Sequence, residues 1–168
     1  VPDYTEENMH THKGCPGSRV MDFSKEDSKD KKQTGNLDET RPSELQQWPV
    51  QLHLVPPTAP YFKNADVLLA ADCVAFTVGD FHKGYLKDKA LAIACPKLDS
   101  GQDVYINKLS AMISQANINT LSVMMMEVPC CGGLLHMAIQ AREKADKNIP
   151  IKKIIVSIQG EILSEDWV

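Results

Sequence analysis

Five cysteines are the residues whose chemistry the rest of the chain has to account for. Four of them, Cys73, Cys95, Cys130 and Cys131, each sit just past an apolar run. The densest setting is Glu127-Val128-Pro129-Cys130-Cys131-Gly132-Gly133, which follows the run Leu121 to Met126 and precedes a helical pattern starting near Leu134. Thiolates, usually four, hold iron–sulfur clusters, and zinc takes the same ligands in tetrahedral geometry. A helix N-terminus beside a thiol favours the thiolate and a net-negative cluster, through its free N–H groups and its dipole. Gly132 and Gly133 would let the backbone come close to a bulky cofactor.

The fifth thiol, Cys15, lies in His10-Thr11-His12-Lys13-Gly14-Cys15-Pro16-Gly17. Two histidines and a cysteine there could donate to a metal, but Gly-Cys-Pro-Gly is also a plain turn. A bland reading applies to every cysteine, since a free thiol is a small hydrophobe that is often simply buried. No spacing here is CxxC. The vicinal side chains of Cys130 and Cys131 diverge, so one of them is expected to face the core. The expected ligands are Cys73, Cys95 and Cys130, with Cys131 or Cys15 as the fourth.

The elements that must position these residues follow from periodicity. Val67 to Ala71 is a continuous apolar run, as expected of a strand covered on both faces, and Ala90 to Ala94, Thr120 to Val128 and Lys153 to Ile158 read as further strands. Val50 to Val55 reads as a further short strand. Between them, apolar residues recur at helical spacing over about 75–86, 103–117 and 132–147, with Asp103 a plausible N-cap. Strands alternating with helices predict a parallel sheet with right-handed crossovers. The expectation is a three-layer, mainly parallel, four- to five-stranded Rossmann-like α/β domain with helices on both faces. In such a sheet the strand ends share one edge, so thiols 22 and 35 positions apart meet there.

Residues 1–47 differ from the rest. They hold 17 charged residues and few aliphatics, too little apolar surface to fold alone. They read as an extended arm ahead of an α/β domain over 48–168. The run Ser24-Lys25-Glu26-Asp27-Ser28-Lys29-Asp30-Lys31-Lys32 alternates in sign, as a solvated spacer does. A net charge of −4 argues against a nucleic-acid partner. No apolar run reaches the roughly 20 residues of a membrane span. No secretory signal opens the chain, which predicts a cytoplasmic protein with reduced thiols. Val1 rather than Met at the start suggests a piece of something longer.

Asp72, Asp99, Glu127 and Glu161 fall near strand ends, where carboxylates commonly cap turns. His82 and His136 fall on helix faces, and Met124-Met125-Met126 reads as strand core. There is no Walker loop, no GxGxxG and no nucleophile elbow.

Several strings also resemble a known family. Trp48-Pro49-Val50-Gln51-Leu52-His53-Leu54-Val55-Pro56-Pro57-Thr58-Ala59-Pro60-Tyr61-Phe62, Ala71-Asp72-Cys73-Val74, Ala94-Cys95-Pro96-Lys97-Leu98-Asp99 and Glu127-Val128-Pro129-Cys130-Cys131 are similar to the C-terminal region of ferredoxin-type (4Fe-4S) iron–sulfur proteins of strict anaerobes. Gly14-Cys15-Pro16-Gly17-Ser18 resembles their connecting segment. CxxCxxCxxxCP, which carries the clusters of the N-terminal half in that family, is absent here. The resemblance implies a redox setting and an upstream ferredoxin domain or a redox partner protein. The expected function is an iron–sulfur (4Fe-4S) or metal-binding electron-transfer domain, with zinc as the alternative metal. Two rivals stand beside it: a thiol-based redox enzyme using Cys130/Cys131, and a nucleotide- or flavin-binding module with phosphate on the Gly132-Gly133 turn.

Overall fold

The computed structural model of the chain describes residues 16–23 and 41–168. Cys15, His10, His12 and the charge run 24–32 lie outside them. A two-residue antiparallel ladder joins β1 (Met21–Asp22) to β2 (Gln47–Trp48). The main sheet is built from β3 (Asp66–Ala71), β4 (Ala90–Ala94), β5 (Thr120–Met126), β6 (Ile151–Val156) and β7 (Ile162–Trp167), in spatial order β4-β3-β5-β6-β7.

The three parallel pairings, β3 with β4, β3 with β5 and β5 with β6, follow from composition. In β3 every residue but Asp66 is buried, and in β5 every residue but Thr120. Such strands lose least when both faces are covered, and they pair in parallel through crossovers. The chain steps from β3 outward to β4, then returns past β3 to β5 and on to β6. Right-handed crossovers therefore put residues 72–89 on one face, and α2 (Gln102–Ser114) and α3 (Gly132–Ala145) on the other. The Met124-Met125-Met126 run is strand core, as its pattern predicts.

The fifth strand is not the expected one. Within 50–55 only Gln51 bridges β4, through Ile93. Beyond it the chain turns, with the N–H groups of Leu54 and Val55 both donating to the Gln51 carbonyl. The segment instead straps the outer edge of β4. The buried Gln47 amide donates to the Leu91 carbonyl and accepts from its N–H, both at 2.9 Å. The fifth strand is β7, antiparallel to β6 and mostly exposed. Cross-strand Lys152–Glu165 and Lys153–Asp166 pairs decorate it, the charges that suit a sheet edge.

The helix expected over 75–86 is also broken. α1 (Val74–Thr77) is a single turn, Val78 is extended, and Phe81–Leu86 forms a π-helical turn. Gly79 follows the break, where glycine weakens helix propagation. α2 starts after Gly101, whose φ is +72°, so Asp103 sits in the first turn rather than at the cap. α3 ends at Asp146, in the left-handed region at φ +49°.

Candidate functional site

The strand order reverses between β3 and β5, and ligands of open α/β sheets bind in the crevice outside the carboxyl ends of such strands. Loops bearing Cys95, Cys73 and Cys130-Cys131 leave the adjacent strands β4, β3 and β5 at this edge. Ala71 pairs with Ala94, and the Asp72 N–H donates to the Ala94 carbonyl at 3.2 Å, so the first two loops start level. The topology thus brings four thiols to one rim, and all four are free.

Their settings differ. Cys73 is exposed at the head of α1. Its carbonyl accepts the Thr77 hydroxyl at 2.5 Å, and that hydroxyl also lies 3.5 Å from Met126 Sδ, linking the β3 loop to the end of β5. Cys130 and Cys131 belong to a 3-10 turn over Pro129–Cys131. As expected for neighbours, they diverge: Cys130 is exposed, and Cys131 is 6% exposed and packs in the core. Burial pushes the Cys131 thiol up. The Met126 backbone opposes this, while the neighbouring Cys130 and Cys73 thiols add to the rise.

Cys95 lies on the far side of β3, half-buried. Its N–H donates to Asp99 Oδ2 at 2.8 Å. The same oxygen accepts the Tyr105 hydroxyl at 2.5 Å and the Gln51 amide at 3.3 Å. Burial alone would raise the Asp99 carboxyl, but the bonds from Tyr105, Cys95 and Gln51 and the nearby His53 outweigh it and hold it low. Asp72, between the two loops, has a buried Oδ1 with no hydrogen-bond partner among the described residues. Burial pushes its carboxyl up, and the charge of Asp99 pushes it further.

The two glycines separate. A Cβ on Gly133 would lie 3.3 Å from Pro96 Cβ, whereas one on Gly132 would meet nothing within 4 Å. Gly133 lets the N-terminus of α3 seat against the Cys95-Pro96 loop. Gly132 stays open to close approach.

Among the described residues, no three His, Cys, Asp or Glu side chains are grouped to hold one metal ion. Around a single zinc, with bonds of about 2.3 Å, sulfurs stand roughly 4 Å apart. Around a cluster each thiolate binds a different iron, so the sulfurs stand farther apart. The rim therefore offers no ready single-ion zinc set among the described residues. Cys15 cannot be placed, since it lies outside the described residues.

The other candidates are occupied locally. Glu127 Oε1 accepts the Ile158 N–H at 3.1 Å, His82 Nδ1 accepts the Glu44 N–H at 3.1 Å, and His136 pairs with Gln140 at 3.0 Å. Sequence reasoning missed Tyr105 and Lys108. Lys108 is buried and donates to the carbonyls of Leu52, His53 and Val55 at 3.0, 2.6 and 3.0 Å. A signal exists, because Tyr105 and Lys108 fall on the apolar face marked by Leu109 and Met112. A separate cavity of about 660 Å³ lies along the sheet face that carries 78–89, between Tyr85 and Trp167. Among the described residues no helix is long and apolar enough to cross a membrane.

Comparison with known proteins agrees with this architecture. A protein of Archaeoglobus fulgidus described as uncharacterized is 33% identical over 119 residues, which are 71% of this chain and 83% of that protein. No solved structure matches. Residues 59–168 match the family described as "Rossmann-like domain"; neither match names a cofactor or a reaction. By its strand order, its switch-point crevice and this match, the chain belongs to the Rossmann-like domain family.

Proposed function

We propose that this domain holds an iron–sulfur cluster, of the 4Fe-4S type, at the carboxyl edge of its sheet and exchanges electrons there with a redox partner protein or an upstream ferredoxin domain. One observation carries the reading: four free thiols leave three adjacent strands at one rim, around the switch-point crevice. Cys73 and Cys130, the two open to solvent, are the primary ligands; Cys95, Cys131 and Cys15 are the remaining candidates. The resemblance to ferredoxin-type proteins points the same way.

A bound cluster supplies reversible one-electron chemistry. The chain's own residues give thiolates, and Gly132 lets backbone N–H groups approach the sulfurs. Thr77 fixes the Cys73 loop against Met126. The test is anaerobic purification of the full chain, with iron and sulfide analysis and a visible spectrum. A brown protein absorbing near roughly 400 nm, a sulfur-to-iron charge-transfer band, and losing that band on Cys73→Ser is the expected result. Colourless, iron-free protein would sink the reading.

The vicinal pair Cys130 and Cys131, both free thiols, favours a second reading, thiol–disulfide chemistry. Two thiols would become one disulfide, releasing two protons and passing two electrons to a disulfide substrate, itself reduced to two thiols. Metal-free protein whose Cys130 alkylates readily, and which reduces a disulfide in proportion, would support it.

A further inference from the structure

The cavity of about 660 Å³ between the sheet and the segment 78–89 has no cysteine in its lining. Its size falls in the range of about 300–1,000 Å³ usual for small-molecule sites. Part of its floor is one row across four strands: Leu68 pairs with Ser122, Ser122 with Lys152, and Lys152 with Trp167. Ser122 is the one polar residue between Leu121 and Met126 in β5. It is 5% exposed, it lines the cavity, and its hydroxyl bonds no described residue. A buried hydroxyl left without a partner is costly, so this one is poised to bond what enters.

Five charged side chains line the cavity, and four of them are answered. Asp66 accepts the Thr120 hydroxyl at 2.7 Å, and Asp80 pairs with Arg41 at 3.0 Å. Glu165 takes both the Lys152 ammonium and the Tyr85 hydroxyl. Lys89 remains, half-buried, its ammonium joined to no described residue by an ion pair or hydrogen bond. The hydrogen bond from Lys152 does most to hold the Glu165 carboxyl low, and the charge of Lys89 adds to it. Two ammonium groups thus act on one carboxylate, which leaves an excess positive charge on this part of the wall. Much of the remaining wall is apolar, through Leu68, Val78, Ile154 and Ile162, and Trp167, 63% exposed, offers a flat ring.

We infer that this cavity binds a small organic monoanion: a single carboxylate on a flat or branched apolar body. The carboxylate answers Lys89 and takes the Ser122 hydroxyl, with Lys152 beside it in the row. The body lies along Leu68, Ile154 and Ile162 toward Trp167. Charge selects among the alternatives. A cation would meet the excess positive charge, and a neutral ligand would leave the half-buried Lys89 without a counter-ion. A dianion such as a phosphate monoester would crowd the three carboxylates already in the lining, Asp66, Asp80 and Glu165. The site stands apart from the thiol rim and does not depend on the cluster reading.

Isothermal titration calorimetry on the full chain tests this with phenylacetate, indole-3-acetate and 4-methylvalerate, each beside its primary amide. At least one carboxylate should bind saturably, and about tenfold or more tighter than its amide, which keeps the shape and lacks the charge. Lys89→Met should weaken that carboxylate about tenfold and leave its amide unchanged, a split that a merely distorted cavity would not give. Ser122→Ala should weaken it severalfold, by loss of one hydrogen bond. An unchanged far-ultraviolet circular dichroism spectrum and thermal midpoint would show both variants folded. The comparison of acid with amide needs no variant, so it decides the matter even where a variant fails to fold. No saturable binding by any of the three carboxylates would overturn the site. So would equal affinity for acid and amide, or parent-like affinity for the acid in Lys89→Met.

Discussion

The backbone N–H of Cys95 and the carboxylate of Asp99 are bonded at 2.8 Å, four residues apart, and Tyr105 from α2 donates to the same oxygen. The loop that carries Cys95 is thus held by a side chain of its own and by a helix behind it. Asp99→Ala leaves the Cys95 N–H and the buried Tyr105 hydroxyl without this acceptor. An unsatisfied buried group costs about 1–3 kcal/mol, and urea denaturation should show a loss in that range. Tyr105→Phe, which removes one donor and keeps the ring, should cost less.

Lys108 predicts a pH dependence. Burial lowers its ammonium to about 8, below the ordinary lysine value of ~10.4. Between these values the unfolded chain binds more protons at this position than the folded one, so stability rises with pH. That gain is complete above the unfolded value and is lost as pH falls through about 8. Chemical denaturation across this window should show the slope in the parent and not in Lys108→Met. At neutral pH the variant strands three carbonyls and should lose about 1–3 kcal/mol.

Gly160, in the turn between β6 and β7, should tolerate no side chain. Its φ is +88°, and a Cβ would lie 2.1 Å from the Thr77 carbonyl oxygen. Overpacking of this kind costs about 1–3 kcal/mol or more, beyond the strain of a left-handed alanine. Gly160→Ala should lower the thermal midpoint by several degrees, and it should loosen α1, which carries the Cys73 loop.

The paired glycines should respond in opposite senses. Gly132→Ala meets open space and should stabilise by about 0.5–1 kcal/mol, the helix gain of alanine over glycine. Gly133→Leu must displace Pro96, so it should destabilise and speed alkylation of Cys95. Thermal melts and peptide mapping read the two effects.

Much of the rim is legible in the order of residues alone. Continuous apolar runs at Val67 to Ala71, Ala90 to Ala94 and Leu121 to Met126, each followed by a cysteine, imply parallel strands with their ends on one edge. The observed order of β4, β3 and β5 puts those ends side by side. Side-chain direction is not legible to the same degree. Chain adjacency says that one of Cys130 and Cys131 turns inward, but only packing decides which, and it buries Cys131. The strand expected at 50–55 fails because the Gln51 backbone and the Lys108 ammonium draw that segment into turns. β7 escapes a pattern search because Ile162-Leu163-Ser164-Glu165-Asp166-Trp167 is too polar for a buried strand; its pairing comes from the neighbouring β6.

Thiol accessibility with and without iron tests the central claim most directly. The full chain is pulsed anaerobically with iodoacetamide near neutral pH, before and after reconstitution with ferrous iron and sulfide, and each cysteine is scored by peptide mass spectrometry. Without metal, Cys73 and Cys130 should be modified far faster than Cys131, which is buried and whose thiol is pushed up. With metal, Cys73 and Cys130 should become protected together. Equal modification of both before and after reconstitution would contradict the account.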